Sequence, residues 1–181
     1  MNTNILIAGF GGQGILFAGR LLVYAGMLSD QEISWLPSYG PEMRGGTANC
    51  SVIMGDSPVG SPVVDKPDVL IAMNLPSLDK FEPAVVPGGH MFIDSALIAR
   101  PAARDDVVCH YVPATRIADE NGVPGLANMV MLGSVVAVLG FVPEGVLSQA
   151  MKKVIPERKI EMFGRNMKAL TIGLHGDYEG G

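Results

Sequence analysis

Six residues near the start of the chain, Gly9-Phe10-Gly11-Gly12-Gln13-Gly14, have the types and spacing to cradle an anion. They satisfy G-x-G-x-x-G after a short apolar run and before a helical pattern. Glycines allow a tight turn and close approach of the backbone to a ligand, and free N–H groups at a helix start favour negative charge. Three readings fit: a dinucleotide loop, a loop for another phosphorylated or anionic group, and a turn that only packs strand on helix. The extra Gly12 departs from a usual dinucleotide loop. NAD also calls for an acid roughly 20 residues on, at the end of the second strand. Here that strand, Ile33 to Leu36, runs into Pro37-Ser38, and Asp30 and Glu32 precede it at the wrong end.

A second stretch, Ser38-Tyr39-Gly40-Pro41-Glu42-Met43-Arg44-Gly45-Gly46-Thr47-Ala48, places a cation beside two glycines. The Arg44 guanidinium is a planar fork suited to phosphate or carboxylate. Gly45 and Gly46 can turn backbone N–H groups toward the same anion. The alternative is a turn in which Arg44 pairs with Glu42 or another carboxylate. If the second strand runs parallel to the first, both glycine-bearing loops leave the carboxyl edge of the sheet, where ligands of open α/β sheets bind.

Other chemistry-bearing residues read as structural. His90, His110 and His175 are scattered, so neither a metal triad nor a catalytic dyad is expected. Cys50 and Cys109 form no C-x-x-C pair, so any iron–sulfur centre must sit on another chain. Asn74 and Asp94-Ser95 follow strand ends on the presumed ligand side and read as caps. Asn128 reads as a helix cap or a buried hydrogen-bonding post. Ser38 and Tyr39 lack a base partner, so nucleophilic catalysis is not supported.

The elements that must hold these residues alternate. Apolar runs predict strands at Ile5–Ala8, Ile33–Leu36, Thr47–Met54, Val69–Met73, His90–Ile93 and Val107–Val112. Helical spacing follows at Ile15–Ala25, Leu75–Phe81, Pro113–Asn121, Asn128–Leu139, Glu144–Ala150 and Glu157–Leu174. The pattern predicts an α/β fold: a doubly wound, mostly parallel, Rossmann-like sheet with a helical C-terminal part. No linker divides the chain, which reads as one domain over residues 1–181. Hydrophobic residues make up 48% and charged residues 17%, against a usual quarter or so, and mean hydropathy is +0.31. That excess favours apolar surface buried under partner chains. A net charge of −5 with no basic run argues against nucleic acid. Leu126 to Val142 lacks charge but falls short of a membrane span, so a buried helix is expected there and a cytoplasmic location for the chain.

The opening G-F-G-G-Q-G-I with G-R-L-L, then S-Y-G-P-E-M-R-G-G-T-A, Ser61-Pro62, Pro67-Asp68 and Ala127–Gly133, resembles the gamma subunits of 2-oxoacid:acceptor (ferredoxin or flavodoxin) oxidoreductases. The 2-oxoglutarate and branched-chain 2-oxoacid types are the nearest. The resemblance implies a subunit of an enzyme that decarboxylates a 2-oxoacid on thiamine diphosphate with Mg and passes electrons through iron–sulfur clusters to ferredoxin or flavodoxin. The product is an acyl-CoA. It places the thiamine and cluster sites on alpha, beta and delta-type partners and gives the gamma chain a share of the coenzyme A site. Mapped here, that share is Gly9, Gly11, Gly12, Gln13 and Gly14 with Arg44, Gly45 and Gly46. No catalytic or metal residue is expected on this chain, and the isolated chain is expected to be inactive and to self-associate. Two other functions remain open: a purely architectural subunit, and a self-sufficient nucleotide-binding oxidoreductase.

Overall fold

Runs of branched apolar residues become the middle of a sheet, because only a strand covered on both faces tolerates them without polar alternation. Val69–Ala72 is buried along its whole length, as are Ile5–Ala8. The computed structural model describes residues 2–38 and 47–176. In order, the elements are β1 (Asn2–Phe10), α1 (Ile15–Met27), β2 (Glu32–Ser38), β3 (Thr47–Gly55), β4 (Val69–Ala72), α2 (Leu75–Phe81), β5 (His90–Asp94), β6 (Val108–Val112), α3 (Ala114–Glu120), α4 (Ala127–Leu139), α5 (Glu144–Val154) and α6 (Met162–His175).

The strands lie in the order β2-β3-β1-β4-β5-β6. β1, β4, β5 and β6 are parallel neighbours, whereas β3 is antiparallel to both β1 and β2. The sheet is therefore mixed but mostly parallel. Two antiparallel steps restore direction, so β2 runs the same way as β1 with β3 between them. The strand expected to stop at Leu36 continues through Pro37 to Ser38. β2 is an outer strand, where a residue without an N–H is tolerated.

Alternate side chains divide between two cores. Ile5, Ile7, Cys50, Val52, Ile71 and Phe92 face α1 and α3 to α6. Leu6, Leu70, Met91 and Ile93 face the thinner side, covered by Leu78 of α2, Val85 and Ile98. α4 carries no charge and is buried on most of its circumference, as expected of its apolar run. It meets α6 backbone to backbone: a Cβ on Gly133 would lie 2.3 Å from the Leu170 carbonyl oxygen, and one on Gly173 would lie 2.0 Å from that of Val130. The single helix expected over 157–174 is broken. Glu157–Lys159 forms a 3₁₀ turn, α6 begins at Met162, and Ile160 between them is 57% exposed rather than part of the apolar face. Among the described residues, no helix is long and apolar enough to cross a membrane.

Candidate functional site

The parallel strands all end on one edge. The chain leaves β1 toward β2 and β3 but leaves β4 toward β5 and β6, so the crevice between β1 and β4 is a topological switch point. The Gly9–Gly14 turn fills the mouth of that crevice. Gln13 closes the turn: its N–H donates to the Phe10 carbonyl at 3.2 Å. Its carboxamide then spans the crevice, with Oε1 accepting from the Phe10 N–H at 2.6 Å and Nε2 donating to the Met73 carbonyl at 3.0 Å.

The glycines divide into two kinds. A Cβ on Gly9 would meet Gln13 Oε1 at 2.6 Å and Ile15 Cδ1 at 2.7 Å. Gly14 has φ +73, and a Cβ there would lie 2.2 Å from Asn128 Nδ2. Those two are demanded by packing. Gly11 is exposed, and Gly12, at φ +92, has open space beside it. Those two leave the backbone accessible. Asn128 is not a cap. It lies inside α4, buried, with Nδ2 donating to the Gly14 carbonyl at 3.1 Å.

Four helices start on this edge: α2 and α3 are sealed by side chains, whereas α1 and, beside it, α4 have no side-chain cap among the described residues. Asn74 caps α2, its Oδ1 accepting from the Ser77 N–H at 2.9 Å. Asp94 closes the start of α3 from a neighbouring strand, accepting from the Thr115 N–H at 3.2 Å and the Thr115 Oγ–H at 2.6 Å. Burial pushes the Asp94 carboxyl above the usual carboxylate range, while these donors pull it back. The start of α1 differs. Gly14 has no side chain to cap it, the first turn holds no acid, and no side-chain cap reaches it among the described residues. Its N–H groups and the positive end of the helix dipole are available to an anion.

Arg44, Gly45 and Gly46 lie outside the described residues. The strands on either side of them are well placed. Ser38 pairs with Asn49, which pairs with Ala8, and Thr47 pairs with Phe10. Both ends of the Arg44 segment are thus fixed at the edge that carries the glycine turn. Glu32 pairs with Gly55 and Gly55 with Asn2, so Glu32 sits at the opposite edge, as the argument against NAD required. β3 adds a second obstacle, because it occupies the position beside β1 that the second strand takes in a dinucleotide fold.

Beside the turn lies a cavity of about 190 Å³ lined by Gly12, Gln13, Met73, Leu97, Thr115, Gly125 and Ala127. Sequence reasoning missed Leu97, Thr115 and Gly125; the signal was the Pro124-Gly125 turn before an apolar helix and the strand ends preceding Leu97 and Thr115. Two larger hollows, of about 350 and 380 Å³, lie at the amino edge around Asp68 and His90 and on the thin face around Leu36 and Val63. Neither includes the switch point. His90 and His110, expected to be apart, meet across β5 and β6 with Nδ1 and Nε2 3.0 Å apart. The buried His110 also stacks on Phe92. Among the described residues no group of three or more metal-ligating side chains converges. Cys50 is inert, its thiol pushed up to about 12 by burial.

The family model for pyruvate ferredoxin/flavodoxin oxidoreductase matches residues 4–175. The ketoisovalerate oxidoreductase subunit VorA of Methanothermobacter thermautotrophicus is 40% identical over 172 residues, covering 94% of this chain and 35% of that relative. The chain thus spans about a third of the length of the VorA relatives that it matches. The 2-oxoglutarate synthase subunit KorC of Methanocaldococcus jannaschii is 35% identical over 176 residues, covering 96% of this chain and 92% of KorC. The gamma subunit of a keto/oxoacid ferredoxin oxidoreductase from Geobacter sulfurreducens PCA shares the fold with a TM-score of 0.81 and 28% identity, over 95% and 96% of the two chains. The 2-oxoglutarate:ferredoxin oxidoreductase of Magnetococcus marinus, solved with 2-oxoglutarate, coenzyme A and succinyl-CoA bound, gives a TM-score of 0.85 over 95% of this chain and 30% of that one. At 22% identity it bears on fold alone. With the family model spanning residues 4–175 and KorC covered almost end to end, the chain belongs to the pyruvate ferredoxin/flavodoxin oxidoreductase family as a gamma-type chain.

Proposed function

We propose that the chain serves a cytoplasmic, thiamine diphosphate-dependent 2-oxoacid:ferredoxin oxidoreductase as its coenzyme A-handling subunit. Its glycine turn and Arg44 segment would hold the phosphates of the coenzyme. One observation carries this reading: α1 starts at the carboxyl edge, at the switch point, on a glycine turn with no side-chain cap among the described residues and no acid in its first turn. A pyrophosphate fits that donor set, since the turn supplies N–H groups and its first helical turn holds no carboxylate to repel it. Coenzyme A supplies the thiol that takes up the acyl group. The residues of this chain bind and orient it. The printed names of VorA and KorC point to a branched-chain 2-oxoacid or 2-oxoglutarate as the substrate of the assembled enzyme. Thiamine diphosphate, Mg and iron–sulfur clusters are assigned to alpha, beta and delta-type partners, with ferredoxin or flavodoxin as acceptor.

Replacing Arg44 with Ala in the assembled enzyme tests the reading. Loss of a charge-assisted bond to phosphate is expected to raise the KM for coenzyme A by about 10- to 100-fold, leaving the KM for the 2-oxoacid unchanged. An unaltered KM for coenzyme A would favour a purely architectural subunit.

A further inference from the structure

We infer that a cationic block around the start of α6 is the face on which an acidic partner chain of the enzyme docks. The inference rests on the proposed role as one subunit of a larger enzyme, and adds the surface used and the chemistry of the chain that meets it.

Charge is unevenly spread along the molecule. Residues 152–168 hold six of its thirteen Lys and Arg but only two of its eighteen Asp and Glu, so a chain of net charge −5 carries a local excess of four positive charges. All six cations are exposed. Three of them have local roles. Lys152 and Lys153 lie in the last turn of α5, where the helix dipole favours cations, and Lys168 donates to the Asn121 carbonyl at 2.6 Å. Arg158, Lys159 and Arg165 form no ion pair among the described residues. By contrast, Arg100 reaches Asp79 and Glu82, Arg104 reaches Asp106, and Arg116 reaches Glu120.

The three cations without partners surround apolar surface. Ile160 and Met162 are 57% and 39% exposed, where the chain passes from the 3₁₀ turn into α6. Beside them Pro124, Leu126, Met162, Arg165 and Asn166 line a hollow of about 200 Å³. An apolar centre within a charged rim is the anatomy of a docking surface. Cations that served solubility alone would have no use for Ile160 and Met162 among them.

The sign of the rim selects the occupant: a protein face that sets carboxylates around an apolar projection. A second copy has acids to offer, but only on a different face, and joining unlike faces does not close a dimer. An anionic bilayer would be repelled by Glu157 and Glu161, which are exposed among the cations, whereas a protein can meet a mixed pattern charge by charge. The position also suits the proposed function. The turn at 124–127 borders this hollow on one side and, through Gly125 and Ala127, the cavity at the glycine turn on the other. A chain docked here is a neighbour of the proposed coenzyme.

The test measures binding of the purified full chain to the thiamine-bearing partner chains by interferometry, and the KM for coenzyme A of the assembled enzyme. Arg158→Glu with Lys159→Glu is expected to weaken assembly by about 30-fold or more, and Ile160→Ser by about tenfold. Lys66→Glu with Lys80→Glu makes the same change of net charge on the loop before β4 and on α2, and should leave assembly within about threefold. All five positions are exposed, so folding is not at stake. Equal weakening by the two pairs, or none by either, overturns the assignment of the face and leaves the subunit reading intact. So does a raised KM for coenzyme A in the Arg158 and Lys159 variant with assembly unchanged. Binding to phosphatidylserine vesicles that this variant abolishes, again with assembly unchanged, overturns it in favour of a lipid surface. Failure of the unmodified chain to bind the partner chains overturns both readings.

Discussion

At the scale of single residues, Gln13 holds the glycine turn in shape. Grouped by resemblance with the residues that hold the coenzyme, it spends both atoms of its carboxamide inside the protein, on the Phe10 N–H and the Met73 carbonyl. It positions the turn rather than offering a free group. Gln13→Glu keeps the acceptor, removes the donor to Met73 and adds a negative charge beside the proposed phosphate site. Coenzyme A affinity of the assembled enzyme is expected to fall by about 10- to 100-fold, and that of Gln13→Met, which loses both bonds without adding charge, by less; calorimetry separates the two. His110 makes a second prediction. Burial and then the neighbouring His90 hold its pKa below the ordinary histidine value. Its folded pKa is thus depressed, so the stability tied to its neutral form is present above about pH 6.5, the unfolded value, and lost as pH falls through the folded one. The Tm of the wild type should drop as pH is lowered from 7.5 to 5.0. His110→Phe should flatten that drop by about 2 °C or more.

At the scale of elements, the α4–α6 contact sets a limit on change. An added methyl on Gly133 would press into the Leu170 carbonyl at 2.3 Å and the Gly173 Cα at 2.8 Å, and backbone cannot yield as a side chain does. Gly133→Ala is expected to cost about 1–3 kcal/mol or more in urea unfolding. Gly145→Ala, in α5 with open space around it, should be neutral or stabilise by up to about 1 kcal/mol. This scale was also the most legible in the sequence. The buried runs Ile5–Ala8, Val69–Met73 and His90–Ile93 have no reading other than central strands, and the glycine turn sits where the motif placed it. What escaped was tertiary. Alternation along Thr47–Met54 is the same whether a strand is parallel or antiparallel, so the insertion of β3 between β1 and β2 left no local trace. Pro37 reads as a breaker until the strand is known to be outermost. His90 and His110 meet only through the β5–β6 register. The Asp94–Thr115 clasp and the cavity wall likewise join residues from separate loops.

At the scale of the whole molecule, the carboxyl edge is both the polar and the apolar face of interest. Phe10 ends β1, Leu75 and Leu97 follow the ends of β4 and β5, and the three are 41%, 39% and 49% exposed. That agrees with the excess of apolar residues in the composition. If the chain serves, as proposed, to hold coenzyme A for partners that carry the thiamine site, it is expected to show no 2-oxoacid turnover by itself, in an assay of ferredoxin reduction. Mixing with the proposed thiamine-bearing partners should restore turnover that depends on coenzyme A. Turnover by the purified chain alone would overturn the subunit reading.

β2 and β3 are zipped together over seven paired positions, and β3 to β1 over nine. Ser38 and Thr47 are therefore fixed posts at the carboxyl edge. A slip of one residue in either ladder would turn every side chain of β3 to the opposite face, so natural variation is expected to spare these two pairings.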